Sequence, residues 1–447
     1  MSEGGLGAPM RHPIDWNNPD YYDPEKLAQE ERRVFDVCHS CRRCFNLCDA
    51  FPRLFDLIDE SETGELDSVP DSAFQQVADA CTLCDMCFMT KCPYVPPHEF
   101  DIDFPHLMLR HRAVEEHQGK HGFADRALAK TDRNGRLAGT FEPLANWANK
   151  RGNQLTRPVM EQIMKVHRDA ELPRFHRKTF VDRAAQHTPG VNTEAPAAGR
   201  KAVLYATCFS NYNNPGIGDA TRAVLAHNGV TTEVAYPGCC GMPSFEQGDL
   251  ETVAKSAKHT ADELGRWIDE GYKVIALVPS CALMLKFEWP LIIDDPAVQK
   301  LAENTMDISE YVVDIAANEG LAEGLQPLEG GVSLHLACHA RAQNIGAKAS
   351  DMLRQIPQID LEVQARCSGH GGAWGVKKDN FEVAMKVGRP VARKIANAGK
   401  THLASECPLA GAHIVQGLER QSDDGPPAHS QAQHPIELMA RSYGLKY

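Results

Sequence analysis

The sequence predicts a multidomain α plus α/β chain, helical in its front part and built from two tandem α/β modules behind. Three observations carry that expectation. The 15 cysteines fall into two groups, eight between Cys38 and Cys92 and seven between Cys208 and Cys407. Near residue 200 the texture changes from helical spacing to short β-rich runs separated by helix-length segments, which argues for α/β layering. The back half also repeats itself: Cys208, Cys239 and Cys281 recur as Cys338, Cys367 and Cys407, at offsets of 130, 128 and 126 residues.

Composition narrows the function classes. At 447 residues, with 43% hydrophobic and 24% charged residues, the chain is long enough for about three folded units. A formal net charge of −13 argues against a general nucleic-acid binder, which needs a basic surface. An odd, clustered cysteine set points to metal chemistry rather than a disulfide framework. No basic region followed by an apolar stretch opens the sequence. The most apolar window, Val274 to Ile293, is broken by Pro279, Lys286, Glu288 and Pro290. A cytoplasmic protein without a membrane span is expected, its thiols kept available as ligands.

In order along the chain, residues 1–30, rich in Gly, Pro, Asn and Asp, read as a loose arm. Residues 31–110 hold two cysteine motifs preceded by helical patterns at Val34, Phe35, Val37 and at Phe74, Val77, Ala78. Residues 111–198 read as a helical connector through the spacing of Phe141, Leu144, Trp147, Met160, Ile163 and Met164. It is locally basic at Arg168, Arg174, Arg177, Lys178 and Arg183, which reads as a solvated helix face in preference to a docking surface for an acidic partner. Strands are expected at 202–206, 231–235, 273–278, 332–336, 359–363 and 401–404, divided between a module at 199–330 and another at 331–447. Cysteine-bearing loops then follow strand ends, where ligands gather in open α/β sheets.

Cys38, Cys41, Cys44 and Cys48 follow C-x2-C-x2-C-x3-C. Cys81, Cys84, Cys87 and Cys92 follow C-x2-C-x2-C-x4-C, with Pro93 next. Three cysteines at this spacing wrap a tight turn onto one side of a cubane, and in two-cluster ferredoxins the fourth thiolate comes from the other motif. Two 4Fe-4S clusters are therefore expected, one on Cys38, Cys41, Cys44 and Cys92, the other on Cys81, Cys84, Cys87 and Cys48. Zinc accounts for paired C-x2-C ligands but not for the third cysteine of each run. Arg42, Arg43 and Lys91 lie within the motifs, as cluster-stabilising charges or as exposed solubilising ones.

The back half carries a different signature. Gly-Cys239-Cys240-Gly-Met-Pro lies between Cys208 and Cys281, and Cys367-Ser-Gly-His-Gly-Gly lies between Cys338 and Cys407. With the front motifs, these texts make the chain resemble iron–sulfur subunits that join a two-cluster ferredoxin domain to two cysteine-rich CCG domains. Such subunits serve anaerobic glycerol-3-phosphate dehydrogenase, glycolate and lactate oxidation complexes, and heterodisulfide reductase. The resemblance spans roughly residues 30–445. It implies an electron-transfer subunit with a separate partner, a flavoprotein dehydrogenase or another donor or acceptor, and allows peripheral membrane contact through that partner. It also implies a further, non-cubane 4Fe-4S cluster on Cys208, Cys239, Cys240 and Cys281, with Cys338, Cys367 and Cys407 as weaker metal candidates. The chain departs from the fuller motif: Met284 and Ala410 stand where a last cysteine is expected, and Ser368 replaces the paired cysteine of the second module.

Among the neighbours, Met284 and Trp374 read as core residues, and His339 and His370 as structural histidines near loop ends. Gly369, Gly371 and Gly372 read as a turn allowing close backbone approach. Gly216-Ile-Gly218 lacks the third glycine and acidic partner of a dinucleotide fingerprint. Two other functions stay open at this stage. The CCG region itself is then a thiol, disulfide or quinone reductase, or the chain is a zinc scaffold without a redox role.

Overall fold

Two parallel sheets organise the back half of the chain. The computed structural model describes residues 9–422 and 427–447. The first sheet joins β1 (Lys201–Tyr205), β2 (Thr231–Ala235), β3 (Lys273–Ala276) and β4 (Thr305–Asp307) in the order β2-β1-β3-β4. The second joins β5 (Val332–His335), β6 (Leu361–Gln364) and β7 (His402–Ser405) in the order β6-β5-β7. Every pairing is parallel, so each needs a crossover, supplied by helices such as Pro215–His227, Leu250–Asp269 and Phe381–Ala398. Val203, Leu204 and Tyr205 of β1 and Val274, Ile275 and Ala276 of β3 are buried without alternation, as strands covered on both faces must be.

The strands expected from sequence are present, with ends shifted by up to two residues. β4 was not expected, because three residues carry no readable alternation. The internal repeat appears as one strand order used twice. Where the first sheet adds β4, the second has a single parallel bridge between Ala404 and Gln433. A helix follows each of these edges, opened by a capping box: Asp307 with Glu310 before Ile308–Asn318, and His434 with Glu437 before Pro435–Ser442.

The front region is helical. Helix Pro24–Cys41 starts from Asp23, whose side chain accepts from the amides of Glu25 and Lys26, and buries Leu27, Val34 and Phe35. Its Phe35 packs on Phe74 and on Phe104 of helix Phe104–His117, with ring centroids 5.1 and 6.0 Å apart, and Phe51 of helix Ala50–Asp59 packs on Phe104 at 4.7 Å. This core runs without a break into Phe245, Val253 and Trp289 of the first module. A second core joins that module's outer helices to β5 and to the helices at 348–353 and 435–442.

The expected loose arm is instead, from Pro9 onward, a docked strap. The Ile14 amide donates to the Leu291 carbonyl at 2.7 Å, and the Trp16 indole donates to that of Ile292 at 2.7 Å. The physical reason is Arg11, which enters a buried nest of carboxylates from Asp85, Asp103 and Glu288.

The connector is helical, with helices Phe123–Ala129, Thr131–Thr140, Glu142–Asn149, Arg157–Met164 and Phe180–Gln186. Its apolar spacing marks the surface as much as the core: Phe141, Leu144, Trp147 and Ile163 are 61, 62, 49 and 58% exposed. Arg168 is paired with Glu161 and Arg183 with Asp219, so part of the basic stretch is neutralised within the chain. Among the described residues, no helix is long and apolar enough to cross a membrane.

Candidate metal-cluster sites

The front cysteines crowd together, and the last thiol of each motif lies beside thiols of the other. Cys38 faces Cys92, Cys44 and Cys41. Cys48 faces Cys84 and Cys81, and Cys87 faces Cys84, Cys81, Cys48 and, across the gap, Cys44. A small cavity lined by Cys38, Cys44, Cys87 and Cys92, walled by Phe51, Phe88, Ile102 and Phe104, lies between the sets. Burial pushes the Cys44 and Cys81 thiols up to about 12, and it pushes Cys38, Cys48, Cys87 and Cys92 upward too. These six crowded thiols resist ionisation, which is the environment a cationic iron core relieves by binding thiolates, whereas Cys84, beside Cys338, is held below its ordinary range. Donor type, number and convergence in both sets fit a four-iron cluster.

Local backbone explains the aim of these thiols. The longer spacing before Cys92 is absorbed by a π-turn over Cys87–Lys91, in which the Cys92 amide donates to the Cys87 carbonyl at 2.8 Å. Leu83 and Asp85 take left-handed backbone on either side of Cys84, with φ of 47° and 63°, and the turn they make presents Cys84. Of the charges flagged within the motifs, Arg42 is engaged by Asp59. Arg43 and Lys91 face Cys44 and favour its thiolate. Arg112, unremarked in the sequence, donates to the Cys81 carbonyl and to that of Ala78 at 2.8 Å, and its charge also favours the Cys81 thiolate.

In the first back module, Cys208, Cys239, Cys240 and Cys281 come together. The Cys208 and Cys239 sulfurs are 3.8 Å apart, and Cys240 lies beside both Cys239 and Cys281. Cys208 follows Thr207, a buried β-branched residue held at φ 50°, and Gly241 takes φ 80° directly after the cysteine pair. Strain of that kind, tolerated by a well-packed surround, is common at functional sites. Hydrogen bonds from Cys208 and Cys240 hold the Cys239 thiol well below its ordinary range.

Two residues of the connector complete this site and were not anticipated. Asp132 accepts from the Cys239 amide at 3.0 Å and from the Tyr236 hydroxyl, while the buried Thr131 hydroxyl lies beside Cys208 and Cys239. Nothing in the local sequence signals this, because both reach the site from more than 70 residues away. Met284 is fully buried at the start of a second π-turn, as a core residue would be.

The second module divides its cysteines. Cys338 lies beside Cys367 and also beside Cys84 of the front region; Cys407 is nearer Cys281 of the first module. His339 lies against the Leu83 carbonyl at 3.4 Å, so it packs on the Cys84 turn. His370 is buried near His413, and burial pushes it down to about 3. Trp374 is only partly buried and bridges the regions, its indole donating to the Asp79 carbonyl at 2.8 Å. A Cβ on Gly371 would sit 2.6 Å from Thr82, and one on Gly372 2.2 Å from the Glu246 carboxylate, so these left-handed glycines are what let the module dock. Among the described residues, no three His, Cys, Asp or Glu side chains close on a single-ion site.

Glu246 yields a pH prediction. Burial pushes its carboxyl from 4.5 up to about 7, against the opposing charges of Arg112 and Lys377. Between those values the unfolded chain has released its proton while the folded chain keeps it, so stability falls as pH rises through that window. Glu246→Gln is expected to flatten this limb. Its melting temperature should match wild type near pH 4.5 and exceed it by roughly 2–4 °C at pH 8. Equal displacement at both pH values would contradict the assignment.

A chain of this architecture, with parallel sheets carrying cysteines at their strand ends and a thiol-rich helical front, belongs to the iron–sulfur redox proteins. The CCG cysteine-rich domain family matches residues 202–286. The chain is 24% identical over 318 residues to one of the subunits of the anaerobic glycerol-3-phosphate dehydrogenase of Escherichia coli (strain K12), covering 70% of this chain and 76% of that one. It is 30% identical over 185 residues to lactate utilization protein A of Shouchella clausii, covering 39% and 74%. It is also 25% identical over 272 residues to an uncharacterized iron–sulfur protein of Methanocaldococcus jannaschii, covering 60% and 50%. The chain belongs to this family of iron–sulfur proteins with CCG cysteine-rich domains.

Proposed function

We propose that this chain is the electron-transfer subunit of a multi-subunit oxidoreductase. In this reading two 4Fe-4S clusters pass single electrons between a partner dehydrogenase and a cysteine-rich centre in the first CCG module. The observation that carries it is the crossed arrangement of the front thiols, with Cys92 beside Cys38, Cys41 and Cys44, and Cys48 beside Cys81, Cys84 and Cys87. Crossed motifs bring two clusters close together on one small body, which suits relay rather than storage. Arg43, Lys91 and Arg112 supply positive charge beside the thiolates, a means of tuning potential.

The third centre is assigned to Cys208, Cys239, Cys240 and Cys281. Iron bound there supplies one-electron chemistry; the protein's part is to hold the thiols. Asp132 fixes the Cys239 backbone, the Tyr205 hydroxyl donates to the Gly238 carbonyl at 2.6 Å, and the Trp289 indole donates to the Cys240 carbonyl at 3.1 Å. Adjacent cysteines on one loop need such anchoring if both are to ligate. The partner is assigned to a separate dehydrogenase subunit, in keeping with the relative named as a subunit of glycerol-3-phosphate dehydrogenase. The exposed apolar side chains of the connector offer it a contact surface.

The test is iron and acid-labile sulfide content with EPR of the reduced protein, on wild type and on Cys239→Ser/Cys240→Ser. The double variant should lose one signal and its share of iron while keeping both ferredoxin-type signals. Retention of every signal would remove the CCG centre, and an iron-poor, zinc-rich wild type would overturn the whole reading.

A further inference from the structure

Cys338 and Cys367 are left over by the cluster assignments, yet they are built into a defined position. Their strands are neighbours, and His335 of β5 is in register with Gln364 of β6. Each cysteine stands three residues beyond its member of that pair, so the two occupy matching places past the ladder. Their thiols lie beside each other. The Gly369 amide donates to the Cys367 sulfur at 3.3 Å. Cys338 also lies beside Cys84, and Cys367 is near enough to Cys48 to raise its thiol, so the pair adjoins the second ferredoxin-type set.

The contact is built rather than incidental. The 367–374 loop meets the 79–85 turn through the Trp374 indole on the Asp79 carbonyl and Gly371 against Thr82, and His339 meets it beside Leu83. A cluster of the pair's own lacks donors: Ser368 occupies the place of Cys240, and Cys407 faces Cys281. Two adjacent thiols without a metal, in contact with a cluster ligand, retain one chemistry, reversible disulfide formation.

We propose that Cys338 and Cys367 form a redox-active dithiol/disulfide couple that exchanges electrons with the centre on Cys48, Cys81, Cys84 and Cys87 through Cys84. In the reductive direction the Cys338–Cys367 S–S bond breaks. Two electrons arrive singly through that centre from an external one-electron donor, and two protons arrive from solvent, giving two thiols. The oxidative direction returns both electrons to the clusters and both protons to water. The couple thus joins single-electron traffic to a two-electron store inside the chain. This inference rests on the reading of those four front cysteines as an iron–sulfur centre.

The experiment uses the full chain with its clusters reconstituted anaerobically. It is poised oxidised or reduced with dithionite, alkylated under denaturing conditions, and mapped by peptide mass spectrometry. The oxidised protein should yield a cross-linked Cys338–Cys367 peptide, and the dithionite-reduced protein should carry label on both residues. Cys338→Ser should keep wild-type iron and sulfide. In Cys48→Ser, dithionite should open the disulfide at least tenfold more slowly. Full labelling of both residues in oxidised, iron-replete wild type would overturn the couple, and so would loss of iron in Cys338→Ser, which would make Cys338 a ligand. Unchanged opening in a Cys48→Ser protein that has lost its second centre would overturn the wiring. A wild type that takes up no iron at the front motifs would instead sink the cluster reading, and it is distinguished by its iron content alone.

Discussion

Serine at Cys48 should cost the chain the centre on Cys81, Cys84 and Cys87, and serine at Cys92 should cost it the one on Cys38, Cys41 and Cys44. The argument is the placement of the thiols. Cys48 is last in the first motif, yet its thiol lies against Cys84 and Cys81. Cys92 closes the second motif through the π-turn from Cys87, and its thiol lies against Cys41 and beside Cys38. Either single substitution removes one of four thiolates, and the iron bound at the front should fall by about half, from two four-iron clusters to one. Pairs of substitutions separate this from a sequential assignment. Cys48→Ser with Cys87→Ser should remove one cluster, because both residues serve the same one. Cys48→Ser with Cys44→Ser should remove both. A sequential arrangement reverses those two results, so iron counts and spin quantitation of the two double variants decide between them without knowledge of the partner.

The parts of this molecule that sequence made legible are those whose cause is local. β-rich runs of four or five residues between helices announced six strands, and the cysteine offsets announced that three of them repeat the other three. The front ligand sets could be proposed from sequence because spacing restricts which thiols one turn can present. What was not readable depends on long-range closure. Thr131 and Asp132 belong to a polar helix start, and only the fold brings them to Cys239. The meeting of Cys338 with Cys84 joins residues more than 250 positions apart, and no periodicity encodes it. The fourth edge of the second sheet shrinks to the bridge at Gln433, below the length at which any strand signal exists. The connector's apolar spacing was correctly helical, but period alone does not say whether a face meets the core or the outside.

Removal of the Arg11 charge should unfix the front of the molecule, although the residue lies far from every cysteine in sequence. Its guanidinium donates to Asp103 at 2.9 Å, to Asp85 at 2.6 Å and to Glu288 at 2.9 Å, and it lies 4.5 Å over the Phe88 ring. His106 joins the nest, within 3.1 Å of Glu288. Burial works against the Arg11 charge, but Asp103, Asp85 and Glu288 outweigh it and raise its pKa. One side chain thereby ties the strap, the Cys84 turn, the start of helix Phe104–His117 and the first CCG module together. A fully satisfied buried ion cluster adds little over a hydrophobic equivalent, but loss of one member leaves the others charged and dry, at a cost of about 3–5 kcal/mol. Arg11→Met should therefore destabilise the protein by that order, whereas Arg11→Lys, which keeps the charge and loses the fork, should fall between. Because Asp85 neighbours Cys84, the centre on Cys48, Cys81, Cys84 and Cys87 should release its iron to a chelator faster than the other in Arg11→Met. Denaturant midpoints and the order of iron release check both parts, and an Arg11→Met protein with wild-type midpoint and release would show that the nest holds nothing in place.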